Sequence, residues 1–248
     1  MASPIKPGES SIARTDAISR EPEQAAASDA IAPQASEDQA LALLQSADVN
    51  AAALANLARS PQALKSRKVL LALAMHPRTP RHISVPLLRR MFTFDLMQLT
   101  LTPAVAGDIK RTAEDQILLR LESLSSGEKI SLGRRASGRV AAELLRDADA
   151  RVVSAALENG RLVEAGVVTG LMKRDAKELI FTLVSAHVKW SQRREVQIAL
   201  LRSELTPLER AREFATHFSL DLLHEFVPES RRAMLTGGDE RGTERNSV

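Results

Sequence analysis

Three stretches of the chain share one alternation of apolar and polar positions. Lys68-Val69 opens an apolar run to Met75 that closes in His76-Pro77-Arg78-Thr79-Pro80. Arg151-Val152 opens a run to Leu157 that breaks at Asn159-Gly160, and Arg194-Glu195-Val196 opens a run to Leu201 that leads on to Leu205-Thr206-Pro207. Counted from the opening valine, Leu73, Ala156 and Leu200 each lie 4 residues on, and Pro80, Val163 and Pro207 each lie 11 on. A step of four returns a side chain to the same helix face, so each run predicts an amphipathic helix. An acidic residue follows at nearly constant distance: Asp95 and Glu178 lie 15 residues after Pro80 and Val163, and Asp221 lies 14 after Pro207. Each stands at the head of a further apolar run, where the unpaired N–H groups and positive dipole end of a helix favour a carboxylate. The unit reads as helix, turn, helix, turn, helix.

The remaining pattern is weaker. Leu41, Leu44, Val49, Ala52, Leu54 and Leu57 give one or two helices between Glu37 and Arg59, ended by Ser60-Pro61. Ile109, Ala113, Ile117, Leu121 and Leu124 recur at three and four, which predicts a helix of about four turns. Ser125-Ser126-Gly127-Glu128 has the spacing of a capping box, with a helix through Val140 to Leu145 beyond it. Thr79-Pro80 and Thr206-Pro207 set a capping hydroxyl before a helix-starting proline, with Glu209 completing the second cap. Arg231 to Leu235 adds a last helical turn before Gly237-Gly238. With Ile117 as the opening of a degenerate copy and Met234 as the opening of a last one, the steps are 48, 35, 44 and 38 residues. Their mean is close to the ~40 to 47 residues of HEAT and armadillo units.

At Leu73 to Pro80, Leu157-Glu158-Asn159-Gly160 and Leu201 to Pro207 the chain resembles bacterial HEAT-like repeats of the leucine-rich-variant type, whose helix ends in an Asn-Pro-x-Thr-Pro-like turn. The likeness spans roughly residues 66 to 228 and departs in every copy: His76 replaces the Asn, Gly160 the first Pro, and Ser203-Glu204 the pair. It implies an all-α fold, a HEAT/armadillo-like right-handed α-solenoid or alpha-alpha superhelix, and no catalytic residue. The expected division is an acidic disordered tail over 1–38, a helical repeat domain over 39–228, and a C-terminal turn and tail over 229–248.

Composition narrows the chemistry. In 248 residues, 44% are apolar and 26% charged, enough to bury a sizeable core in one domain or array. Cysteine is absent, which excludes disulfides, thiolate metal sites and thiol nucleophiles. Aromatics make up only 3%, with no Tyr and a single Trp, so Ala, Leu and Val carry the apolar mass, as in close helix packing. No apolar run reaches the ~20 residues that span a bilayer, and no signal-peptide pattern opens the chain, so a soluble, cytoplasmic protein without a membrane partner is expected. Charge is uneven. Up to Asp48 three basic residues stand against eight acidic ones, a balance of −5, so the remainder carries +8 to reach the net +3. An acidic tail on a basic body is expected to lie against it as a weak electrostatic screen. Ser10, Ser11 and Ser19 are candidate modification positions in what is otherwise a solvated segment.

No catalytic constellation stands out. The five His residues have no metal-ligand spacing, and His224-Glu225 lacks the second His of a zincin. Gly127-Glu128-Lys129 lacks the second Gly and the Lys-Ser/Thr pair of a phosphate loop. Neither a metal nor a cofactor is expected. The suggestive cluster is basic: Arg134, Arg135 and Arg139, then Lys173 and Arg174, then Lys189, Trp190, Arg193 and Arg194, all near helix ends. One reading aligns them into an edge that grips phosphates, with Trp190 stacking on a base. The other has the cations complementing helix C-termini and Trp190 packing between units. The expected function is a non-enzymatic scaffold for an unidentified protein partner. Nucleic-acid binding through the basic edge is the alternative, and more remotely an activity like that of the HEAT-like alkylpurine DNA glycosylases, whose catalytic carboxylate and aromatic cage have no counterpart in the sequence.

Overall fold

A computed structural model describes residues 36–46 and 48–236. The described residues form fifteen α-helices and no strand. In chain order they are α1 (Glu37–Gln45), α2 (Ala51–Arg59), α3 (Arg67–Met75), α4 (Arg81–Arg90), α5 (Thr93–Leu101), α6 (Gly107–Leu118), α7 (Ser126–Arg135) and α8 (Gly138–Leu144). There follow α9 (Ala150–Leu157), α10 (Glu164–Leu171), α11 (Glu178–Ala186), α12 (Arg194–Arg202), α13 (Leu208–Ala215), α14 (Leu220–Phe226) and α15 (Glu229–Thr236). Single 3-10 turns at Ala63–Lys65 and Leu121–Ser123 link α2 to α3 and α6 to α7. No helix among the described residues is long and apolar enough to cross a membrane. Residues 1–35, including most of the expected acidic tail and the candidate positions Ser10, Ser11 and Ser19, and residues 237–248 lie outside the described residues.

Local chemistry starts these helices. Ser36 with Gln39 and Ser125 with Glu128 form reciprocal capping boxes, and Asn50, Ser66 and Asp149 accept from first-turn amides of α2, α3 and α9. The Thr-Pro pairs work differently from the expectation. Pro80 and Pro207 are themselves the residues before the first turns of α4 and α13, with no side-chain cap. The Thr79 and Thr206 hydroxyls instead donate backwards, to the carbonyls of Leu73 at 2.7 Å and Leu200 at 2.6 Å. Each of these carbonyls, in the last turn of the preceding helix, also accepts the amide of the residue after that helix, so the threonine closes one helix instead of opening another.

Helix contacts recur with a period of three. α6 packs against α4 and α5, α9 against α7 and α8, α12 against α10 and α11, and α15 against α13 and α14. Within the groups so defined, first and third helices also meet, in α3 with α5, α6 with α8 and α9 with α11. The third residue of each receiving helix, Ile109, Val152, Val196 and Arg231, is buried, as is Val69, the third residue of α3. Ile109 and Arg231 therefore hold the positions expected for Ile117 and Met234. Ile117 is buried in the last turn of α6, whereas Met234 is 47% exposed. The helix of about four turns expected through Leu124 ends at Leu118, and a 3-10 turn at Leu121–Ser123 follows it.

Several joints between helices are made by side chains that donate to carbonyls at another helix's end. Arg120 donates to Arg89 O in the last turn of α4 and to Met91 O just past it, Arg210 to Ser185 O of α11, and Arg202 to Phe226 O of α14. Arg231, almost fully buried, donates to Thr206 O at 2.7 Å. Buried Asn159 donates to Gly133 O at 2.6 Å and Ala136 O at 3.1 Å while accepting from the Arg161 amide at 2.7 Å. His76 and Ser203, each following the first helix of its group as Asn159 does, likewise accept from the amide two residues on. One polar residue with a side-chain acceptor two or three bonds from its Cα closes each of these turns, which is why His, Asn and Ser interchange there.

Candidate functional site

The structure distributes the nine candidate binding residues over several places. Arg134 faces a cleft along α9 with Arg151, Ser154 and Glu158. Arg135 lines a different groove along α5, beside Arg67. Arg139 and Lys173 share a third groove, between α8 and α10. Lys189 and Trp190 follow α11, and Arg193 and Arg194 stand at the head of α12.

Trp190 is only 2% exposed, and its ring N–H donates to the Leu157 carbonyl at 2.9 Å. A buried indole with its one donor satisfied cannot offer a face to a nucleobase, so its place in the binding set is withdrawn. Its role is to join the tail of α11 to the tail of α9, under the Lys189 ammonium 4.0 Å from the ring centre. Arg139 is likewise engaged: it pairs with Asp115 at 2.7 Å and Glu114 at 3.3 Å, across from α8 to α6. The Asp115 hydrogen bond raises its pKa above the ordinary guanidinium value against the pull of burial. Arg194 lies over the Phe218 ring, as Arg67 lies over Phe92 at the corresponding head of α3. Arg134, Arg135, Lys173, Arg174 and Arg193 are exposed and form no ion pair among the described residues.

The grooves differ in charge. Along α5, Asp95 is buried and takes a bidentate grip from Arg67 at 2.6 to 2.9 Å, which raises the Arg67 pKa. Sequence reasoning marked Asp95 only as a helix-head acid, since a partner 28 residues away leaves no local signal. In the α8–α10 groove Arg146 pairs with Glu143 and Asp175, so that with Arg139 two of its three cations are neutralised. Beneath the Arg134 cleft, Arg151 is held by Asp149, whose carboxyl the Arg151 side chain and amide keep well below the usual carboxylate range. Neighbouring Asp147 is also lowered: burial opposes its ionisation, but the Asp149 amide and the Lys129 ammonium outweigh that cost. A fourth groove, between α2 and α4, went unnoticed in the sequence. Arg59, His82 and Arg90 rim an apolar floor, and no carboxylate lines it.

No group of three or more metal-ligating side chains gathers among the described residues. Neither family models, nor curated proteins, nor solved structures match this chain.

Proposed function

We propose that the protein is a cytoplasmic protein–protein interaction scaffold, built as a right-handed α-solenoid of HEAT-like units and without catalysis of its own. The observation that carries this reading is the period-three contact scheme, in which each receiving helix is held by the two helices before it. Elements that touch only their neighbours in sequence extend a chain into a long surface, and such surfaces bind partners along their length. Supporting it, the grooves between helices are shallow and carry side chains of mixed chemistry instead of converging on a reacting centre. Capture from native lysate tests the proposal: a defined protein is expected to co-purify and to survive nuclease digestion. Loss of every co-purifying protein after digestion would overturn it.

A second reading, nucleic-acid binding, draws support from the exposed cations without ion pairs, Arg134, Arg135, Lys173, Arg174 and Arg193. It predicts retention on a phosphate-bearing resin that weakens steeply with salt and is lost in the Arg193→Glu, Arg194→Glu variant. Retention unaffected by that variant would remove this reading.

A further inference from the structure

Between Asp48 and Asp95 the sequence has no Asp or Glu, yet it has eight Lys or Arg residues. That span makes α2, α3 and α4. Carboxylates from outside it reach only three of the eight: Asp95 pairs with Arg67, Glu37 with Lys68 and Asp108 with Arg81. Arg59, Lys65, Arg78, Arg89 and Arg90 form no ion pair among the described residues. The groove between α2 and α4 lies inside this stretch. Arg59 and Arg90, each the last residue of its helix, border it together with His82. In each of the other grooves at least one cation is paired to a carboxylate.

The floor of the same groove is aliphatic. Ala58, Leu64, Ile83 and Leu87 line it, with exposed Pro86 among them. The two features select a partner together. Cations on two helices attract and orient carboxylates, and an aliphatic floor gains from aliphatic side chains that leave water with it. A nucleic acid would meet the first condition but not the second, since no Phe or Trp lines the groove for a base to stack on.

We infer that the α2–α4 groove is the docking site for an acidic segment of a partner protein, whose aliphatic side chains lie on the floor while its carboxylates meet Arg59 and Arg90. The inference rests on the scaffold reading and supplies the chemistry of the partner.

A photocrosslinking benzoylphenylalanine in place of Pro86 tests it in the full chain, with irradiation in native lysate and the crosslinked residues read by mass spectrometry. The crosslinks are expected in a partner segment whose carboxylates outnumber its Lys and Arg and which carries Leu, Ile or Val. Arg59→Glu combined with Arg90→Glu is expected to lower their yield by about fivefold or more, with circular dichroism verifying that the helices persist. Raising salt from about 0.05 to 0.5 M should lower it likewise in the chain without charge reversal. Crosslinks to nucleic acid, to another copy of this chain, to its own residues 1–35, or to a segment without an acidic excess would overturn the inference. So would a yield indifferent to charge reversal and to salt. A protein that co-purifies but never crosslinks from this position would leave the scaffold reading standing and overturn the docking site, whereas the absence of any co-purifying protein would remove both.

Discussion

At the scale of single residues, Asn159 shows how much one polar side chain does inside a helical body. Its amide satisfies two carbonyls at the tail of α7, those of Gly133 and of Ala136 just past it, and its oxygen closes its own turn, so all three partners lose together when it is shortened. Asn159→Ala is expected to destabilise the fold by about 1–3 kcal/mol, the usual cost of stranding buried polar groups, measured by urea unfolding. Asp149 acts through charge. Its pKa is depressed in the folded chain, so its contribution is complete above the ordinary value of 3.8 and is lost as pH falls below it. Asp149→Asn should flatten the acid limb of the stability profile below about pH 4 while leaving the slope near neutrality unchanged. An unaltered acid limb would show that Asp149 is ionised as readily in the unfolded chain. Residue-level chemistry was partly legible. Trp190 after an apolar run admitted both packing and base stacking, and only its burial decides for packing, whereas the burial of Asp95 and Arg231 was hidden because a charged letter gives no sign that its partner lies 25 or more residues away.

Between elements, close approach is governed by glycine. A Cβ on Gly138 would stand 2.2 Å from the Arg161 carbonyl oxygen, which is backbone and cannot swing aside. Gly138→Ala is expected to cost about 1–3 kcal/mol as the head of α8 is pushed off the turn after Asn159. Gly127, in the first turn of α7, has nothing within 4 Å, and Gly127→Ala should be neutral or stabilising by up to about 1 kcal/mol. Thermal unfolding of the two variants side by side checks both signs. The three valine-opened helices were legible because a clean apolar face survives in each. The opening at Ile109 was not, since Lys110 and Arg111 break the apolar run after it and Ile117 continues the same periodicity two turns further on.

For the whole molecule, main helix contacts that fall within two helices along the sequence predict graded stability among the described residues. Native-state hydrogen exchange should protect α6 to α9 longest and release α1, α2 and α15 first, because interior helices are held from both sides. Uniform protection would mean that the chain unfolds as a single unit. The candidate binding residues were legible as a charge pattern but not as a surface. The sequence places cations near helix ends without saying which groove each end opens into, and the groove between α2 and α4 draws its rim from residues 31 positions apart.

The arginines seated on helix-end carbonyls carry one more implication. Their acceptors are uncharged, so these joints neither titrate over the physiological range nor dissolve when counterions are added. Ionic strength then becomes a handle that loosens whatever is held on the outside while the frame beneath keeps its shape. Part of the basic excess is structural mortar, and the affinity of this molecule for anions should fall short of what its isoelectric point of about 9.5 suggests.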